Sequence, residues 1–140
     1  MTPQKDLSLE YRRKLLKALA HLEYSFNKIQ SLTEDTAQLD EESLEVWESF
    51  SARFSRVSDI YLTKYVKSIV LKSDPGFSGV LRDYLNQGEK LGVVEDVEKW
   101  MEIRALRNIS AHDYTEDELT EFFKQLKNYA PILIAIKQKV

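Results

Sequence analysis

Trp47, Phe50, Phe54, Val57, Tyr61 and Ile69 follow one another at steps of three, four and eight residues, which puts all six on one side of an α-helix. A stripe this apolar and this rich in aromatics must be covered by something, so the spacing predicts a long helix over about 41–72 with its inner face in a core. Asp40, just ahead of it, predicts the N-cap. A second stripe, Leu9, Leu15, Leu16, Leu19, Leu22, Phe26 and Ile29, predicts an earlier helix over about 8–32. The polar, aperiodic stretch 33–40 reads as the loop between them.

Breakers punctuate the rest. Four glycines and three prolines in 140 residues mark boundaries more than linkers. Asp74, Pro75 and Gly76 form the clearest turn signal, Ser78 is placed to cap a short helix through about Leu91, and Gly92 to end it. A fourth helix is expected over about 96–111, with Trp100, Ile103, Leu106 and Ile109 inward. Thr115 and Glu118, three residues apart, make a capping box for a fifth helix to about Lys137, with Pro131 as a possible kink. The chain therefore predicts an all-α fold, a single-domain helical bundle of about five helices of up-and-down type spanning 1–140, with residues 1–7 flexible.

Composition narrows the function. The chain has no cysteine, so it has neither disulfides nor a thiolate nucleophile or metal site. Its start is polar and charged, unlike a signal peptide, and no run approaches a membrane span; a cytoplasmic protein with no membrane contact is expected. A net charge of −3 means that nucleic acid is not drawn in by the overall field, so any RNA contact needs a local basic patch. Arg53, Arg56, Lys64 and Lys67 supply the best candidate. On a regular helix their offsets of three, eight and three keep them within about a third of the circumference. Such a stripe reads either as solvated surface or as RNA-binding. His21, one position off the apolar stripe, is expected at the surface with no role.

The chemistry-bearing stretch is Arg107, Asn108, Ile109, Ser110, Ala111, His112, Asp113, Tyr114. Arginine is a permanent cationic fork that matches phosphate, histidine titrates near neutrality, and a tyrosine hydroxyl can donate, accept or be modified. A helix C-terminus would hold the proton on His112 more firmly by about 0.3 to 2 kcal/mol, which suits acid or base work near neutral pH. Arg107 and His112 lie five residues apart, about 140° of rotation, so on a regular helix they do not share a face, whereas Asn108 and His112 do. Either the helix unwinds near its end and the arginine curls round, or a second subunit completes the pair. Arg104 lies between the two sides and can join either cluster.

This spacing, an arginine, four residues, a histidine, one residue and a tyrosine, resembles the motif of HEPN-domain proteins, particularly the toxins partnered by minimal nucleotidyltransferase antitoxins. The resemblance extends loosely through the helical plan from about Leu44 to Tyr129, and the first forty residues carry no motif. It implies a metal-independent, cofactor-free ribonuclease, dimerised with its motifs facing a shared cleft and leaving a 2′,3′-cyclic phosphate. Arg107 would stabilise the scissile phosphate and His112 would move the proton. Asn108 would orient His112 or contact the backbone, Tyr114 would border the cleft and receive adenylate from the antitoxin (AMPylation), and Asp59 is assigned as a polar partner of Arg107. The alternative it leaves open is a non-catalytic subunit that binds substrate or nucleotide for a minimal nucleotidyltransferase.

Overall fold

A computed structural model of the chain describes residues 7–107 and 114–140. Among these residues there are five helices and no strand. Helix α1 is Leu7–Ile29. Helix α2 spans 41–73 and consists of an α segment Glu41–Ile60, a π turn Tyr61–Tyr65 and a second α segment Val66–Ser73. Helix α3 is Leu81–Lys90, α4 is Val97–Arg107 and α5 is Glu116–Ile134, the last running into a 3₁₀ turn, Ala135–Gln138.

Helix α2 is the central element because its aromatic stripe meets three neighbours. It packs on α1, α4 and α5. Trp47, Phe50, Phe54 and Val57 are fully enclosed, and Tyr61 is 2% exposed. Trp47 stacks on Phe123 of α5 with ring centroids 4.8 Å apart, and its indole N–H donates to the Thr33 carbonyl at 3.0 Å, so the one polar atom of the largest core residue is satisfied. Leu15, Leu19, Leu22 and Ile29 close the core from α1; Leu9, expected with them, is 61% exposed, because it lies about 120° round the helix from Leu15, while Ser8 beside it is buried.

The π turn corrects the inner face of α2. The Val66 N–H bonds the Tyr61 carbonyl, five residues back, which adds one residue to that turn and moves everything after it on by one position. Val70 is therefore fully buried, while Ile69, the residue expected there, is only half-buried.

The helix ends follow their caps. Asp40 accepts from the Ser43 N–H at 2.8 Å, which holds its carboxyl below the ordinary range. Thr115 Oγ1 accepts from the Glu118 N–H at 3.2 Å and Glu118 Oε2 from the Thr115 N–H at 3.1 Å, completing the expected box. Ser78 does not cap α3. That helix starts later, with Val80 at the N-cap and Asp83 Oδ2 accepting the Val80 N–H at 2.9 Å. Gly92 ends it at φ +80°, a left-handed conformation that favours glycine. Helix α1 ends at Ile29, three residues short of expectation, where Leu32 N–H turns back onto the Ile29 carbonyl.

Candidate functional site

The motif is entered from α4 and left into α5, and both flanks are fixed. Upstream, Trp100, Ile103 and Leu106 are buried, so α4 is held by its apolar face up to the turn that contains Arg107. On its other side Arg104 donates to Asp59 of α2 at 3.2 Å; the two side chains are 25% and 36% exposed, so the pair is partly shielded from water. Downstream, α5 begins at its capping box and is tied to the loop between α1 and α2. There the Thr36 N–H donates to Thr120 Oγ1 at 3.1 Å and the Thr36 hydroxyl to the Glu116 carbonyl at 2.9 Å. The segments that flank the motif are thus anchored, one to α2 and the other to the α1–α2 loop.

Asp59 accepts from Arg104, one turn before Arg107 on the same helix; the expected pairing of Asp59 with Arg107 falls on a side chain outside the described residues. Arg107 is the last residue of α4. Its side chain, and the whole of Asn108 and His112, lie outside the described residues, as do 1–6.

Tyr114 is described, and its environment is unusual. Its ring stacks on Phe122 of α5 at 5.1 Å and 22°. Its hydroxyl oxygen is enclosed, with no hydrogen-bond partner among the described residues. Burial, and then the nearby Glu118 carboxylate, raise its pKa above the usual tyrosine value.

The basic residues of α2 separate into two groups. Arg53 is directed onto α1, where it donates to the His21 carbonyl at 3.1 Å and to Ser25 Oγ at 2.8 Å and lies 5.9 Å from the Tyr24 ring. Arg56 is exposed one turn further on. Lys64 falls in the π turn and Lys67 beyond it, where Lys67 lies 5.1 Å from the ring of Tyr84 on α3. The extra residue of the π turn rotates these two away from the arginines, so the four span roughly 140° of circumference rather than one narrow face. Sequence reasoning assumed a regular helix here, and no residue type in 61–65 announces the π turn.

A separate cavity of about 260 Å³ lies at the other end of α4, floored by Tyr61, Trp100 and Ile136. Its rim charges are already engaged: Lys139 pairs with Glu95 at 2.5 Å, and Asp96 accepts from the Lys99 N–H at 3.2 Å as the cap of α4. It is not contiguous with the motif, which begins at the far end of that helix.

A bundle of this plan, with its motif between the fourth and fifth helices, matches a known family over nearly its whole length. The chain belongs to the nucleotidyltransferase substrate binding protein like family, whose model covers residues 12–140, and this family is of the HEPN-like helical kind. No curated protein and no solved structure matches the chain. No helix among the described residues is long and apolar enough to cross a membrane.

Proposed function

We propose that this chain is a metal-independent ribonuclease, active as a homodimer and paired with a minimal nucleotidyltransferase that acts as its antitoxin. The supporting observation is that both flanks of the motif are anchored, with Arg104 held on Asp59 one turn before Arg107 and the Thr115–Glu118 box directly after Tyr114. Catalysis by positioning needs such support, because a reacting phosphate gains only from groups already in place. In this reading the RNA 2′-oxygen attacks the adjacent phosphorus, the bond to the 5′-oxygen breaks, and the proton lost by the 2′-hydroxyl ends on the leaving 5′-oxygen. His112 carries that proton, and Arg107 stabilises the added charge on the phosphorus oxygens. Asn108 orients His112. Arg104 acts as a positioning residue that fixes the end of α4 through Asp59.

Tyr114 supplies the regulation. Adenylate on its hydroxyl would bring charge and bulk into the cleft that receives RNA. Because the hydroxyl is enclosed against Phe122, the ring must leave that stack before transfer, and the modified side chain could not return to it.

Expression in a bacterial host tests the reading: the wild-type chain should arrest growth, His112→Ala should relieve the arrest, and co-expression of a cognate nucleotidyltransferase should relieve it only when Tyr114 is present. Harmless wild type would remove the toxin reading. The family match itself favours a second reading, a non-catalytic subunit that presents substrate to a nucleotidyltransferase. In that case the wild-type chain and His112→Ala would both be harmless and both would co-purify with the transferase. A monomer in sedimentation at working concentration would contradict a site shared between two copies.

A further inference from the structure

Helix α1 carries on its outer side a feature that neither the motif nor the core uses. Arg13, Lys17, His21, Tyr24 and Lys28 follow at steps of four, four, three and four residues, within about 80° of the helix circumference. All five are exposed, and Tyr24 is 61% exposed. From Arg13 to Lys28 the helix has a single acidic residue, Glu23. It lies off this face and is paired with Lys137 at 3.0 Å.

The tyrosine is set between cations. Lys28 Nζ lies 5.6 Å from the centre of its ring, and the Arg53 guanidinium reaches across from α2 to 5.9 Å. Arg53 is held there by a carbonyl and a hydroxyl, both neutral, so its charge is positioned without being cancelled. Tyr24 and Lys28 of α1 and Glu42, Glu45 and Arg53 of α2 line a cavity of about 260 Å³, and the two glutamates, near the start of α2, bound the stripe at that end.

We infer that this face of α1, with Arg53, is a binding surface for single-stranded RNA: a base stacks on Tyr24 and the flanking phosphates follow Arg13, Lys17, Lys28 and Arg53. An exposed ring among cations, on a chain whose net charge is −3, matches what a single strand offers, flat bases alternating with anions. A membrane surface fits less well, because the exposed aliphatic side chains of α1, Leu7 and Leu9, are confined to its first turn and none lies among the cations from Arg13 to Lys28. Arg56 continues the surface, one turn along α2 from Arg53 and one turn before the Asp59 that holds Arg104, so the strand has a cationic path toward the motif. The assignment rests on the reading of RNA as the substrate.

Fluorescence anisotropy with a labelled single-stranded RNA of mixed sequence tests it, on full-length protein carrying His112→Ala so that the probe survives. Arg13→Ala combined with Lys17→Ala should weaken binding at least tenfold at low salt and flatten its salt dependence, by a slope of about 0.7 for each lost phosphate contact. Tyr24→Ala should weaken binding about tenfold with the salt slope unchanged, Tyr24→Phe should bind as the parent, and Lys124→Ala, an exposed cation on α5, should change nothing. Equal affinity in parent, double variant and Tyr24→Ala would overturn the surface, as would capture of the parent by anionic phosphatidylserine vesicles but not by RNA. If the stripe variants bind less RNA while the wild-type chain cuts none, the surface stands and the ribonuclease reading fails. If wild-type and stripe variants bind and cut alike, the reverse holds.

Discussion

Tyr61 and Tyr114 both lie against an aromatic neighbour, Trp100 and Phe122, and in both burial raises the phenol pKa above the ordinary tyrosine value. Their hydroxyls are used differently. Tyr61, at the π turn of α2, donates to the Val93 carbonyl, and so joins α2 to the segment between α3 and α4 while satisfying both polar groups. Tyr114 encloses a hydroxyl that bonds to nothing described, at the entrance to α5. A fold has no use for a buried donor without an acceptor, and leaving one costs about 1 to 3 kcal/mol. The comparison sets a tyrosine whose oxygen ties two segments together against one whose oxygen has no partner among the described residues.

Truncation gives the largest contrast. Tyr61→Ala should lower stability by about 3 to 5 kcal/mol, as for other enclosed aromatics, because it opens a cavity against Trp100. Tyr114→Ala, losing a half-buried ring, should cost about 1 to 2 kcal/mol. Urea unfolding of both variants checks the ranking, and equal losses would break the distinction. Removing only the oxygen sharpens it by reversing the sign. Tyr61→Phe strands the Val93 carbonyl and should destabilise by about 1 kcal/mol, whereas Tyr114→Phe keeps the Phe122 stack and should be neutral or stabilising by up to about 1 kcal/mol. A Tyr114→Phe variant less stable than its parent would mean that the hydroxyl has a structural partner after all.

Alkaline pH gives a smaller effect that both tyrosines share. A phenol whose folded pKa exceeds its unfolded value of about 10 keeps its proton in the native state after the denatured chain has lost it. The native state then binds more protons, so stability is complete below about pH 10 and falls as pH rises through the folded pKa. Tyr61, deeper than Tyr114, should dominate, and Tyr61→Phe should flatten the decline more than Tyr114→Phe does. The smallest effect concerns Asp40. Its carboxyl titrates below the usual range because it accepts the Ser43 N–H, so its contribution is present above the unfolded carboxyl pKa and is lost as pH falls through the folded one. Asp40→Ala should remove that acid-side loss.

Much of the fold was legible because helices of this length advertise their inner faces. The Trp47 to Tyr61 stripe, the Asp40 cap, the turn at Asp74 and the box at Thr115 all depend on local rules, and each forms as expected. Ile69 and Val70 show where such rules end: the π turn is a backbone choice made by packing, and it shifts every face beyond it by one residue. Ser78 lost the cap of α3 to Asp83, which reaches back to Val80; the serine was only the nearest capping residue by type. At the site, the sequence pairs Asp59 with Arg107, while the contact the described residues show is with Arg104, one turn earlier on α4, because spacing alone fixes a face of the helix and not which arginine on it reaches across. The stripe on α1 was readable at its spacing of four, four, three and four.

The most direct test of the account is cleavage itself. Purified full-length chain, incubated with total RNA in excess chelator, should generate fragments ending in 2′,3′-cyclic phosphate, and Arg107→Ala and His112→Ala, each folded by circular dichroism, should generate none. Cleavage undiminished in both variants, or RNA left intact by the wild-type chain, would contradict it.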